Sequence, residues 1–187
     1  ALLGCDGLQR LTEGIAGKLD LSGVSEWTVE LNPSSVNTEI LDTLRAIRAN
    51  RISIGAQIFD DPTLRLVGRR HSADDAARAV AVAQDAGFGN VGIDLIAGLP
   101  GVTTELWERT LDRALALGLK HLSVYALSVE PGTVLAVEAA CGLKLPDEEA
   151  QLAALSQAEE RLGAAGFARY EISNYALPGF ECLHNLS

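Results

Sequence analysis

Residues 91–101, VGIDLIAGLPG, decide the fold class of this chain. The stretch begins as a short apolar run typical of a buried strand, and it ends in a glycine- and proline-rich turn ahead of a helical segment. A buried strand that turns directly into a helix is the building unit of a parallel α/β sheet. A single carboxylate, Asp94, interrupts the run, and a buried carboxylate is costly unless it meets a hydrogen-bond network or a ligand.

The same unit recurs on both sides of this stretch, with no linker or charge run between units. Asn37, Ser72 and Thr103 stand where helix N-caps are expected. The pattern predicts strands over residues 27–32, 52–57, 91–96 and 122–128, and helices near residues 8–18, 38–48, 73–86 and 104–117. A further helix over residues 147–165 and a strand within residues 167–176 complete an α/β fold. At about 30 residues per βα unit, the chain holds six units at most, so a closed eight-unit barrel does not fit.

Each predicted strand has one aliphatic face and one small or polar face, because side chains alternate along a strand. Glu30, Gln57 and Asp94 lie on the polar faces, toward the strand ends where α/β folds bind ligands. The pattern predicts a cavity for a polar ligand. An alternative role for Glu30 and Gln57 is to cap neighbouring helices at the rim.

Four further side chains have weaker local signals. Arg69, in RRHS (residues 69–72), is suited to clamp a carboxylate, although a solvated arginine pair is the commoner meaning of this pattern. His121 begins a strand and is expected at the surface. Cys182 and His184 lie two residues apart in the tail, a weak indication of a metal or heme contact.

Composition excludes several classes of protein. A net charge of -10, without a basic block, argues against a nucleic-acid partner. No apolar run approaches the roughly 20 residues of a membrane span, so no integral membrane segment is expected. The three cysteines are too widely spaced for a disulfide framework, which predicts free thiols and a cytoplasmic location. The absence of methionine from all 187 residues predicts that the chain is a fragment.

Taken in order, six segments closely resemble the radical S-adenosylmethionine proteins of the HemW and HemN group. The segments are ELNPSSV, RISIGAQIFDD, LVGRRHS, GIDLIAGLPG, HLSVYALSVEPGT and YEISNYALPGFECLHN. The resemblance implies a partial (β/α)6 TIM-like barrel that holds a 4Fe-4S cluster and S-adenosylmethionine at its C-terminal mouth. The tail is similar to the HNxxYW pattern of HemW heme chaperones. The resemblance thus implies heme or porphyrin, and a heme-acceptor protein, as partners.

Site residues follow from the resemblance by position. Glu30 resembles the ligand of the methionyl portion of S-adenosylmethionine, and Gln57 and Asp94 resemble its other polar contacts, with Asp94 directed to the ribose. Arg69 resembles the partner of the cofactor carboxylate, and His184 resembles a heme contact. An oxygen-independent coproporphyrinogen III oxidase remains an alternative, as does an unrelated TIM-type domain that binds a small polar metabolite.

The chain departs from the family in lacking CxxxCxxC and GGGTPS. We therefore expect that the first two βα units are missing, that no metal ligand lies in this chain, and that the chain alone is inactive, with catalytic residues unknown. The expected division is a partial barrel core over residues 1–146 and, over residues 147–187, a helix and strand extension that leads into the HNxxYW-type tail.

Overall fold

The computed structural model describes residues 3–186, which contain six strands and seven α-helices. The strands are β1 (Thr28–Leu31), β2 (Arg51–Gln57), β3 (Val91–Ala97), β4 (His121–Ala126), β5 (Ala168–Arg169) and β6 (Asn174–Ala176). The helices are α1 (Gly4–Ala16), α2 (Thr38–Ala46), α3 (Asp61–Leu66), α4 (Ala73–Asp85), α5 (Thr104–Ala116), α6 (Val134–Ala140) and α7 (Glu148–Ala164).

The strands form one sheet in the order β1-β2-β3-β4-β6-β5. The first four strands are parallel neighbours, with α2, then α3 and α4, then α5 in the connections between them. An open, mostly parallel sheet of this kind confirms the predicted α/β fold and is consistent with a partial barrel. β6 and β5 extend the sheet in antiparallel fashion beyond β4.

The antiparallel extension differs from the single strand predicted over residues 167–176. The chain turns back between β5 and β6, where the Glu171 carboxylate accepts hydrogen bonds from the Ser173 backbone N–H at 3.0 Å and from the Asn174 side chain at 2.7 Å. A side chain that bonds to the backbone two residues on stabilises a turn in place of extended structure. The segment is therefore a hairpin.

The predicted helix starts are confirmed. Asn37, Ser72 and Thr103 each accept a hydrogen bond from a backbone N–H in the first turn of α2, α4 and α5, respectively, and Ser72 forms a reciprocal capping box with Asp75. Two short helices were not expected. α3, with six residues, and α6, with seven residues, are too short for their periodicity to identify them.

The aliphatic strand faces form the core. Ile52, Ile54, Ile93 and Leu122 are fully buried beneath the helices. α7 shares this core through Ala158 and Leu162. The Trp107 indole of α5 donates a 2.8 Å hydrogen bond to the Ala154 carbonyl of α7. The predicted boundary between residues 1–146 and 147–187 thus lies at the start of a helix packed on the same sheet, and it stays a prediction.

None of the helices within residues 3–186 has the length and apolar composition needed to cross a bilayer. The thiols of Cys5, Cys141 and Cys182 are free.

Candidate cofactor site

Two rows of side chains cross the polar face of the parallel strands and line one cavity of about 520 Å³. In the first row, the strand register aligns Glu30, Ser53, Gly92 and His121. In the second row, closer to the C-terminal strand ends, Asp94 aligns with Ser123. The face predicted to be small and polar therefore does line a cavity, with room for a small polar molecule.

Glu30, in the first row, and Asp94, in the second row, make this cavity acidic. Ser53 Oγ donates a 2.9 Å hydrogen bond to Asp94 Oδ1, which fixes that carboxylate, while Glu30 is exposed to the cavity. Burial raises the pKa of Tyr125 on the same wall, and the negative charges of Asp94 and Glu30 raise it further. Such a surface can bind the ammonium and hydroxyl donors of a ligand.

Gln57 reaches the polar face through an irregularity of β2. The register between β2 and β3 shifts between Ile54 and Gln57, and Gln57 has a positive φ of 67°. Its side chain lies over Gly55, since a Cβ added at Gly55 would be 2.8 Å from Gln57 Nε2. Gln57 is buried at the C-terminal end of the strand, above the cavity and outside its lining.

Arg69 lies at the same C-terminal edge of the sheet. Its Nη1 donates a 3.2 Å hydrogen bond to Oδ1 of Asn32, the residue that follows β1. Nearby His71 is buried, with its Nε2 3.3 Å from the Ala56 carbonyl oxygen, and burial lowers its pKa. The structure thus brings Glu30 and Asp94 into one cavity and places Gln57 and Arg69 along its upper rim. The roles of these four side chains stay predictions.

The C-terminal tail closes the lower part of the cavity, at the N-terminal ends of the strands. Cys182 Sγ and the Leu183 backbone N–H each donate to Glu26 Oε1 at 3.2 Å, and His184 lines the cavity. Burial raises the pKa of the Cys182 thiol, and its hydrogen bond to the Glu26 carboxylate acts in the same direction, so the thiol is neutral. Within residues 3–186, no three His, Cys, Asp or Glu side chains are grouped so that they could hold a metal ion.

Sequence reasoning missed two residues at the bottom of the cavity, Arg51 and His121. His121 was expected at the surface, but only 1% of it is exposed to solvent. Burial, together with the nearby positive charge of Arg51, lowers the pKa of His121 to about 3. Arg51 is 4% exposed. The alternation places Arg51 on the face of Ser53 and His121 on the face of Ser123, but it does not show that either side chain is buried.

A mostly parallel α/β sheet with a polar cavity on one face belongs to a class of α/β proteins that bind ligands at the C-terminal ends of their strands. The sequence profile of the radical SAM superfamily matches residues 6–114. The chain belongs to the radical SAM superfamily. This membership implies S-adenosylmethionine and a 4Fe-4S cluster as the cofactors of the family, and it replaces the alternative of an unrelated TIM-type domain.

Individual relatives agree with this placement. The chain is 37% identical over 188 residues to the heme chaperone HemW of Lactococcus lactis, covering 100% of this chain and 50% of the relative. It is 36% identical over 187 residues to HemW of Escherichia coli, covering 100% of this chain and 49% of the relative. The chain thus spans about half the length of the curated relatives it matches.

A solved structure is also similar. The radical SAM enzyme coproporphyrinogen III oxidase (HemN) of Escherichia coli superposes with a TM-score of 0.82 at 28% identity, covering 94% of this chain and 41% of that chain. The relation of this chain to both HemW and HemN confirms the resemblance identified from the six ordered segments.

Proposed function

We propose that this chain is the core of a HemW-type radical SAM protein that acts as a heme chaperone, with heme as its cargo. The observation that carries the proposal is the match to HemW over the whole chain, at 37% and 36% identity in two bacteria. The polar cavity supports the S-adenosylmethionine part of the proposal, because Glu30 and Asp94, two of the four residues assigned to the cofactor by position, line it.

The carboxylates fit S-adenosylmethionine by their chemistry. The Glu30 carboxylate forms no side-chain hydrogen bond or salt bridge with another residue in the range 3–186, so it is available to accept hydrogen bonds from the cofactor's α-ammonium group. Asp94 has one oxygen engaged by Ser53 and can accept from the ribose hydroxyls with the other. Gln57 and Arg69, on the rim above, are assigned to a further polar contact and to the cofactor carboxylate.

The 4Fe-4S cluster belongs to the proposal for the full-length protein. The cysteines of residues 3–186 do not form the set of thiolates that such a cluster needs. Cys5 is in α1, Cys141 follows α6, and the Cys182 thiol donates a hydrogen bond to the Glu26 carboxylate. When bound, the cluster supplies the electron for reductive cleavage of S-adenosylmethionine. The residues of this chain would bind and orient S-adenosylmethionine.

For heme, we assign His184 as the iron contact in preference to Cys182. The Cys182 thiol is buried and protonated, whereas His184 is exposed and lines the lower part of the cavity. A heme-acceptor protein would then take the cargo from this surface. We also propose a cytoplasmic location, which the three free thiols support because a reducing compartment preserves them.

The test uses the full-length protein, reconstituted anaerobically, in a titration with hemin followed by visible absorbance. We expect stoichiometric heme binding that His184→Ala weakens at least about tenfold, equivalent to about 1.4 kcal/mol. Leu183→Ala, a change at the neighbouring exposed residue, serves as the matched control and leaves binding unchanged. Equal affinities for the two variants would remove His184 from the assignment, and no heme binding by the unsubstituted protein would contradict the proposed function.

The second candidate function is an oxygen-independent coproporphyrinogen III oxidase, which the superposition with HemN favours. The same reconstituted protein is incubated with coproporphyrinogen III, S-adenosylmethionine and a reductant, and the products are separated by chromatography. A chaperone leaves the porphyrinogen intact. Formation of protoporphyrinogen IX would establish the oxidase instead.

A further inference from the structure

The bottom of the cavity carries nitrogen atoms that have no hydrogen-bond partner within residues 3–186. They are Nε and Nη2 of Arg51 and Nδ1 of His121, all buried. Both residues line the cavity: His121 lies one row below Asp94, level with Ser53 and Gly92, and Arg51 lies one row lower still, level with Thr28. Buried polar groups are nearly always paired, because an unpaired one costs about 1–3 kcal/mol and more when charged. Three orphaned nitrogens at one place therefore point to a ligand.

The hydrogen bonds around Tyr170 determine which nitrogen of His121 carries the proton. The Tyr170 hydroxyl oxygen accepts from the Cys182 backbone N–H at 3.1 Å and from Asn185 Nδ2 at 3.3 Å. Its own hydrogen is left to donate to His121 Nε2, 2.7 Å away. Since the imidazole is neutral, its proton is then on Nδ1. Nδ1 lies over Gly92, where an added Cβ would be only 3.3 Å away.

The two orphaned nitrogens of Arg51 are the pair on one edge of the guanidinium group. Nε–H and Nη2–H point the same way and match the two oxygens of a carboxylate. With Nδ1–H of His121, the cavity bottom presents three donors and requires an acceptor. Arg51 forms no ion pair with any carboxylate of residues 3–186. The Asn90 amide oxygen is also unpaired, but Asn90 is outside the cavity lining.

We propose that Arg51 and His121 form a binding site for a carboxylate group of a molecule held in the cavity, with Arg51 making two parallel hydrogen bonds and His121 a third. A singly charged carboxylate suits the site better than a doubly charged phosphate, because Glu30 and Asp94 make the cavity acidic. The site is distinct from Arg69 on the rim: Gln57, also on the rim, lies six positions after Arg51 along β2, about 20 Å of extended chain.

The first test titrates the full-length protein with sodium propionate at constant ionic strength and follows the melting temperature. We expect a saturable rise, because a ligand that binds only the folded state stabilises it. Arg51→Met abolishes the rise, and Arg51→Lys, which keeps the charge and loses the planar fork, weakens propionate binding at least about tenfold. Arg78→Met, on the exposed face of α4, is the matched control and retains the full rise.

A second measurement protects the test against a variant that fails to fold. Without carboxylate, Arg51→Met should raise the melting temperature, because it removes a buried charge that lacks a partner. A lower melting temperature would mean that another part of the protein already pairs with Arg51, and it would overturn the proposal. The absence of a saturable effect of propionate would also overturn the proposal, because water would then be the acceptor for the Arg51 and His121 donors. An equal effect of inorganic phosphate would overturn it as well.

Competition identifies the source of the carboxylate. Propionate binding that hemin suppresses and S-adenosylmethionine leaves unchanged assigns the site to a carboxylate of the cargo. Suppression by S-adenosylmethionine alone assigns it to the cofactor.

Discussion

His121 connects the tail to the sheet, since its Nε2 contacts the Tyr170 hydroxyl group while its ring is buried beside Arg51. A histidine whose pKa is about 3 in the folded state and 6.5 when unfolded stays neutral on folding. The unfolded chain therefore binds the additional proton as the pH falls between these two values. The stability contributed by neutral His121 is fully present above the unfolded pKa and is lost as the pH falls below it.

This linkage predicts acid sensitivity. Lowering the pH from about 7.5 to about 5 should reduce the free energy of unfolding by about 2 kcal/mol through His121 alone. Urea unfolding at the two pH values measures the loss. In His121→Phe, which cannot titrate, the difference between the two pH values should shrink by about that amount. If the variant loses as much stability on acidification as the unsubstituted protein, His121 is not the cause.

Asp94 gives the second residue-scale prediction. Asp94→Ala in the full-length protein should weaken S-adenosylmethionine binding by about 2 kcal/mol or more, because it removes an acceptor of charge-assisted hydrogen bonds. Ser53→Ala removes only the 2.9 Å bond that orients the carboxylate and should cost about 1 kcal/mol. Calorimetry measures both, with Asp42→Ala on the exposed face of α2 as the control. Equal effects of Asp94→Ala and Asp42→Ala would contradict the assignment.

The sequence predicted that Asp94 and Glu30 lie on the polar face that lines the cavity, but it did not predict that Arg51 and His121 line it too. The reason is physical. A carboxylate inside an apolar strand is conspicuous because of its burial cost. A polar residue at the first position of a strand is normally solvated. His121 is buried because Tyr170, about 50 positions later in the chain, packs against its ring, a contact that no local pattern contains.

At the scale of secondary-structure elements, the alternation along β1 to β4 predicted both the core and the cavity. It succeeded because helices cover one face of this sheet, and because successive side chains of a strand point to opposite faces, so the position along the strand fixes the face of each side chain. It did not predict the irregularity of β2, where Gln57 adopts a positive φ, nor the hairpin of β5 and β6. Both depend on backbone conformations that composition does not encode.

The packing of β3 against β4 gives an element-scale prediction. A Cβ on Gly92 would lie 3.1 Å from the His121 carbonyl oxygen, so Gly92→Ala forces two central strands to shift. We expect a loss of about 1–3 kcal/mol in urea unfolding. Gly89→Ala is the matched control, since a Cβ there meets nothing within 4 Å and should leave stability nearly unchanged. A neutral Gly92→Ala would show that the strands are less closely packed than described.

At the scale of the whole molecule, the two edges of the sheet differ. β5 at one edge has two residues, and Arg169 pairs there with Glu159, so this edge is short and charged. β1 at the other edge has four residues and is hydrogen-bonded only to β2 among the described strands. An unprotected edge strand is a template for pairing with another chain.

We therefore predict that this chain self-associates through β1. Size-exclusion chromatography with light scattering should detect dimers or larger species that increase with concentration. Association should also increase with salt, because screening reduces the repulsion between chains of net charge -10. Thr28→Pro, at the first position of β1, where proline is tolerated, should shift the protein toward monomer by removing a donor from the edge. A monodisperse monomer of the unsubstituted chain at about 100 μM and high salt would contradict the prediction, since edge pairing is expected at μM–mM concentrations.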